Sequence, residues 1–246
     1  MPESEEDMSI SKPDSQDANV GQDSIRRITY IGVVILILIV ITIIIAVLGR
    51  TNEKKRPAAT TATKDEAVAS FNKGDFKKAI PKLKVYVSDH PGDFEARSVL
   101  AQSYWLDGRL KIAIGQYLKL NKARPKDADV LYRMGILYGQ LKAEKKAVES
   151  LEKATKLRAD QPVFLSELAK AYTRMSRYDR AVASWRRVLA LTPENNVTLR
   201  ANTFAEIGNV YVLKKDKVKA REAYNQGLAI EPQNEYLKKQ LEMVGS

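Results

Sequence analysis

A chain with one histidine and no cysteine has little with which to do covalent or metal chemistry. A thiol nucleophile and a cluster of histidine ligands are both excluded for lack of partners. His90 stands beside Pro91 where a helix is expected to end, and a base there suits the negative end of a helix dipole. Gly135 and Gly139 lack both the preceding strand and the Gly-Lys-Ser/Thr ending of a phosphate loop. Carboxylates are plentiful but scattered over positions expected to be solvated. The sequence therefore reads as a non-enzyme with no cofactor and no metal, and its chemistry lies in what its surface can bind.

One candidate surface is basic. Lys77, Lys78, Lys111, Lys145, Lys146, Arg180 and Lys219 recur beside successive turns, each near the start of an expected helix. A cation there opposes the helix dipole, at a cost of about 0.3–1 kcal/mol. A mildly unfavourable choice repeated along the chain fits an edge that attracts an anionic surface, whether lipid headgroups, nucleic acid or an acidic protein, although a solvated, solubilising face is the simpler reading.

The elements that position these residues are set by a period. Ala79, Ala113, Ala147 and Ala181 stand 34 residues apart, and Ala220 follows after 39. An interval of that length marks stacked helix–turn–helix units. Units numbered 1–34 begin at Thr60, Phe94, Ala128, Pro162 and Ala201, which places the recurring alanine at position 20. Position 8 is Ala67, Ala101, Gly135, Ala169 and Gly208, and position 32 is Pro91, Pro125, Ala159, Pro193 and Pro232. Small residues at 8 and 20 allow two helix backbones to approach closely, and proline near 32 stops the second helix. Trp185 and Tyr224 fall at position 24, a large core position of the second helix. Between units four and five, residues 196–200 are inserted, and Asn195 or Asn196 is placed to cap a lengthened first helix.

With Tyr104, Tyr138, Tyr172 and Tyr211 at position 11 and Leu100, Met134, Leu168 and Ile207 at position 7, residues 60–234 resemble the tetratricopeptide repeat (TPR) family. The resemblance implies an all-α solenoid of five hairpins and a role as a binding scaffold. It also implies that positions 2, 5, 9, 12 and 13 of each first helix (helix A) line a concave face. There Phe71, Trp105, Tyr132 and Ile136 form a candidate groove for a partner protein or peptide, although the same four side chains could pack against neighbouring helices and complete the core. Chaperone-binding members of the family hold terminal carboxylates with Lys at position 5, Asn at position 9 and Asn at position 6 of the next unit. Lys64 fits that pattern, but Val68 and Val99 do not, which argues against such a clamp.

The flanks differ in composition. Residues 1–27 carry seven acids and three bases and read as a disordered tail; the net charge of +11 is therefore concentrated downstream, where residues 50–246 carry +15. Ile28 to Leu48 is 21 residues without a charge, long enough as a helix to cross a bilayer, and the sequence reading is one transmembrane helix. That makes the chain a single-pass protein, assigned to a bacterial inner membrane, with a bias of basic residues favouring a cytoplasmic C-terminal domain. Residues 49–62 read as a linker broken by Pro57, with Thr63 and Glu66 opening the repeats as a capping box; residues 63–234 hold the five repeats, and residues 235–246 a capping helix with Leu237, Leu241 and Val244 on one side. The leading function is a membrane-anchored adaptor; the alternative is a polyanion-binding module.

Overall fold

The computed structural model describes residue 33, residues 35–44 and residues 64–245. The chain divides into two compact units, Met1–Thr60 and Thr61–Ser246. In the first unit residues 35–44 form a helix, α1. Ten residues rise about 15 Å, half the thickness of a bilayer's hydrocarbon. Among the described residues no helix is long and apolar enough to cross a membrane. The expectation of a single-pass membrane protein is corrected accordingly, and the inference about which side holds the C-terminal domain goes with it. The rest of the 28–48 stretch, the acidic tail, the linker and Thr63 of the expected capping box lie outside the described residues.

The second unit is helical throughout its described length. Five hairpins follow in order: α2 (Lys64–Asn72) with α3 (Phe76–Asp89), α4 (Phe94–Leu106) with α5 (Leu110–Ala123), α6 (Ala128–Gln140) with α7 (Glu144–Leu157), α8 (Pro162–Arg174) with α9 (Tyr178–Leu191), and α10 (Val197–Leu213) with α11 (Lys217–Ile230). A last helix, α12 (Glu235–Gly245), closes the stack. Local chemistry sets most boundaries. Asp75, Asp93, Asp127, Asp216 and Asn234 accept backbone N–H bonds at the starts of α3, α4, α6, α11 and α12, each such cap worth about 1 kcal/mol. Asn196 caps the lengthened α10 through the Leu199 N–H at 3.2 Å. The second helices end two residues before position 32, including α7, where Ala159 replaces proline. There the Arg158 N–H bonds back to the Ala154 carbonyl, as the His90, Arg124 and Glu231 N–H groups bond back at the ends of α3, α5 and α11.

The turn inside each hairpin is one motif used five times. Position 15 is left-handed in every unit: Gly74 and Gly108, then Lys142, Ser176 and Lys215 at φ 57°, 57° and 63°. The N–H of position 16 donates to the carbonyl of position 11, from Asp75 to Ser70 through Asp216 to Tyr211, at 2.8–3.0 Å. This is the Schellman closure, which satisfies an orphan carbonyl at the helix end.

Packing follows the repeat frame. The position-20 alanines are fully buried, as are Ala67, Ala101 and Ala169 at position 8. Where position 8 is glycine the neighbour has taken the space: a Cβ on Gly135 would lie 2.4 Å from Leu151 Cγ, and one on Gly208 would lie 2.2 Å from Tyr224 Cε1. Trp185 and Tyr224 are buried at position 24 as anticipated. The buried residues form one cluster across α2–α6 and another across α7–α12, with Ala128, Leu131, Ala154 and Phe164 as a smaller one at the seam.

Candidate functional site

Each groove candidate is half-buried, and three have definite partners. Phe71 and Trp105 pack against the first core cluster. Phe71 meets Phe76 at 5.7 Å between ring centroids, and the Trp105 indole N–H donates to Gln140 Oε1 at 2.8 Å, linking α4 to α6. Tyr132 stacks on Phe164 at 4.5 Å across the seam between units three and four. Burial raises the Tyr132 hydroxyl above the usual tyrosine range, and the charge of Glu167 adds to the shift. Ile136 lies one turn along α6 from Tyr132, half-exposed. The structure therefore gives these side chains both characters that the sequence allows, a core-facing edge and an open edge.

Charges on the same face are held in place. Lys64 bridges Asp93, at 3.3 Å, and Glu95; Asp129 pairs with Arg158; Lys170 pairs with Glu167 at 2.9 Å, and Arg174 with Glu144 at 2.8 Å. Every charged residue at helix-A positions 2, 5, 9 and 13 of units one to four is thus ion-paired. Such exposed pairs contribute about 0–1 kcal/mol each to stability, but they cancel the local field. Unit five has no charge at these positions. Its Asn202, Ala205, Asn209, Val212 and Leu213 are neutral, and Val212 and Leu213 are 41% and 52% exposed. The sequence reading did not single them out, because valine and leucine in a helix look like core.

A cavity of about 540 Å³ opens between units two and three, where Asp93, Glu95, Asp127 and Asp129 meet Arg124 and Arg133 over Phe94. Its carboxylates are already engaged. Asp127 caps α6 and Asp129 is bound to Arg158. Asp93 caps α4 through the Ala96 N–H, and that bond, with the Lys64 ammonium and the Tyr86 hydroxyl, holds its carboxyl below the usual range. No two acids share a proton here as a general acid–base pair would. Among the described residues no group of three His, Cys, Asp or Glu side chains is placed to hold a metal ion.

The basic edge divides by position. At position 19, Lys146, Arg180 and Lys219 lie 5.7–5.8 Å from the rings of Tyr138, Tyr172 and Tyr211 at position 11 of their own units. Lys78 and Lys219 also bind the carboxylates capping their own helices, Asp75 at 2.8 Å and Asp216 at 3.1 Å, and Arg180 approaches Glu152 at 3.8 Å. These cations thus have local work: each sits on an aromatic face or neutralises a cap, which offsets the dipole cost. At position 18, Lys77, Lys111 and Lys145 are exposed.

The comparisons agree with this architecture. The sequence profile of the family described as Tetratricopeptide repeat matches residues 50–242. Among solved structures, the MamA protein is similar with a TM-score of 0.64 at 22% identity, over 70% of this chain and 93% of that one. YrrB, described as a TPR protein with an unusual peptide-binding site, has a TM-score of 0.62 at 18% identity, over 78% of this chain and 95% of its own. A curated relative, the protein O-mannosyl-transferase TMTC1 of Homo sapiens, is 23% identical over 175 residues, covering 70% of this chain. This chain spans only 19% of that relative's length. At such identities the solved structures speak to the fold alone, whereas the profile covers most of the chain, and the protein belongs to the tetratricopeptide repeat family.

Proposed function

We propose that this protein is a scaffold that binds an extended segment of a partner protein along the concave face of its repeats. The observation that carries the reading is the character of that face: half-open Phe71, Trp105, Tyr132 and Ile136, flanked by charges that are paired within the chain. Aromatic side chains in such a setting are common interface anchors, worth about 2 kcal/mol or more when truncated. The similarity to YrrB, whose description names a peptide-binding site, supports the same use of the fold. The polyanion alternative draws little from the position-19 cations, which are engaged with tyrosine rings or capping acids, and is left with the exposed Lys77, Lys111 and Lys145 at position 18.

The test is selection of peptides of about 12 residues from a random display library on the full chain, followed by affinity measurement with the synthetic winners. The expected winners are apolar or aromatic, bind almost equally at about 50 and 200 mM salt, and lose about tenfold in affinity with Trp105→Ala or Phe71→Ala. Winners that are uniformly acidic, with affinity falling steeply over that salt range, would replace this reading with the polyanion one. Failure to select any peptide would remove it.

A further inference from the structure

The C-terminal end of the concave face holds an arrangement that the aromatic set upstream does not explain. Asn209 is at position 9 of its unit, on the helix-A stripe. Its Oδ1 accepts two hydrogen bonds, from the Tyr224 hydroxyl at 3.0 Å and from the Tyr236 hydroxyl at 3.2 Å. A carboxamide oxygen has two lone pairs, so these bonds use its whole accepting capacity and fix which way the amide points. What remains for a ligand is the NH₂ group, a donor held in a set orientation. Tyr224 is fully buried at position 24, and burial raises its hydroxyl to about 12, so that donor to Asn209 stays protonated throughout the neutral range.

The surroundings of this donor are apolar and open. Val212 and Leu213 follow Asn209 by three and four residues on α10, which places them on the same side of the helix. They are 41% and 52% exposed, and Tyr236, bonded to Asn209 from α12, is 49% exposed. The unit contributes no charge at positions 2, 5, 9, 12 or 13. The pattern recurs once upstream, where Gln140 Oε1 is occupied by the Trp105 indole N–H. There one aromatic donor takes one of the two lone pairs, whereas at Asn209 both are taken.

We infer that the end of the groove around Asn209, Val212, Leu213 and Tyr236 is a docking site for an uncharged stretch of extended polypeptide, with an apolar side chain of that stretch on Val212 and Leu213 and a backbone carbonyl accepting from the Asn209 NH₂. The complementarity selects the occupant. A fixed donor requires an acceptor, an apolar rim with the Glu206 carboxylate one turn before Asn209 disfavours a carboxylate or phosphate, and a polypeptide carbonyl beside an aliphatic side chain supplies both needs. This rests on the proposed binding of partner segments by the concave face and adds a place and a polarity to it.

The experiment uses a peptide selected on the full chain as above. Asn209→Asp keeps an acceptor for both tyrosine hydroxyls but removes the donor, and Val212→Ser with Leu213→Ser removes the apolar floor. Each is expected to weaken the peptide by about tenfold or more while the melting temperature stays close to that of the parent, because Asp keeps an acceptor for both hydroxyls and Val212 and Leu213 are open to solvent. Asn209→Gln, which restores a donor on a longer arm, should recover part of the loss. If peptides are selected and lose affinity with Trp105→Ala but bind Asn209→Asp and the double serine variant as tightly as the parent, this site is overturned and the broader reading stands. If no peptide is selected, both fall.

Discussion

The two ends of the repeat stack are built differently. At the N-terminal end α2 has nine residues and buries only Ala67, and its partner α3 carries Pro81 in its interior. At the C-terminal end α10 has 17 residues and a side-chain cap, and α12 lies over the last hairpin with Leu237 fully buried and Val244 nearly so. In the repeat frame Glu235 is position 1 of a sixth unit, so Lys238, Leu241, Glu242 and Gly245 occupy positions 4, 7, 8 and 11, which in the preceding units face a second helix. Two of the four are charged and Leu241 packs back on the second cluster, so this side of α12 suits water. The C-terminal hairpin is covered by a further helix, whereas the described first helix contributes a single buried residue. A binding site that needs a fixed amide suits the covered end, where α11 and α12 both bond to Asn209.

This comparison can be measured directly, because Trp105 packs on the first core cluster and Trp185 belongs to the second. Variants with Trp105→Phe or Trp185→Phe leave one fluorophore in each half. The largest effect is expected from Leu237→Ala. Removing a fully buried leucine costs about 2–5 kcal/mol, and the surface it leaves open is on α11, where Gly227 lies against the Leu237 methyl. The Trp185 transition should move to lower urea while the Trp105 transition moves less. Equal shifts would show that the stack melts as one unit and that its ends are not independent.

Next in size, and opposite in sign, is Pro81→Ala. An interior proline removes one backbone hydrogen bond and crowds the preceding turn, at a cost of up to about 3 kcal/mol in a helix. Pro81 is exposed, so alanine should restore the bond without opening a cavity. The Trp105 transition should rise and the gap between the two probes should narrow. Destabilisation would mean that α3 needs a bend at this point.

Much of the architecture was legible because repeats state the same requirement several times. Five small residues at position 20 and five at position 8 gave the hairpin contact, and all ten are buried. A cap for the longer helix at Asn195 or Asn196 was legible from residue type, and the structure uses Asn196. The turn residues were not, because only Gly74 and Gly108 advertise a left-handed backbone, while Lys142, Ser176 and Lys215 adopt it under the pull of the Schellman bond. The position-19 cations read as opposed to the dipole because the rings beneath them are eight residues away in sequence and meet them only after the hairpin closes. The Asn209 site was hidden for a related reason: its hydrogen-bond donors come from two other helices. The stretch 28–48 shows the opposite failure, in which composition alone suggested a span and the described helix is too short for one.

Lys142→Gly is expected to stabilise by about 1 kcal/mol, since glycine enters the left-handed region without the clash a Cβ makes there. Lys142 is exposed, so little contact is lost. Because unit three holds the seam between the two clusters, both probes should report the gain. A neutral result would mean that the lysine side chain offsets its backbone strain.

The smallest effect is a pH dependence confined to one end. The Asp93 carboxyl sits below its usual range chiefly because it accepts the Ala96 N–H, with Lys64 and the Tyr86 hydroxyl adding to the stabilisation of its charged form. A carboxylate whose folded pKa is depressed contributes stability that is fully present above its unfolded value, near 4, and is lost as pH falls through the folded value. Protonation weakens the acceptor that caps α4 and removes the charge that holds Lys64 of α2, so the loss falls on the junction of the first two hairpins. Asp216 at the other end is also depressed, through the Lys219 backbone and side chain, but its bonds lie within one hairpin and join no repeats. Urea melts between about pH 6 and 3 should therefore lower the Trp105 midpoint before the Trp185 midpoint. Asp93→Asn, which retains an oxygen to cap α4 while losing the charge, should flatten that dependence at the N-terminal probe. If the Trp185 midpoint falls first, or if Asp93→Asn leaves the Trp105 profile unchanged, the junction between the first hairpins is not where acid acts.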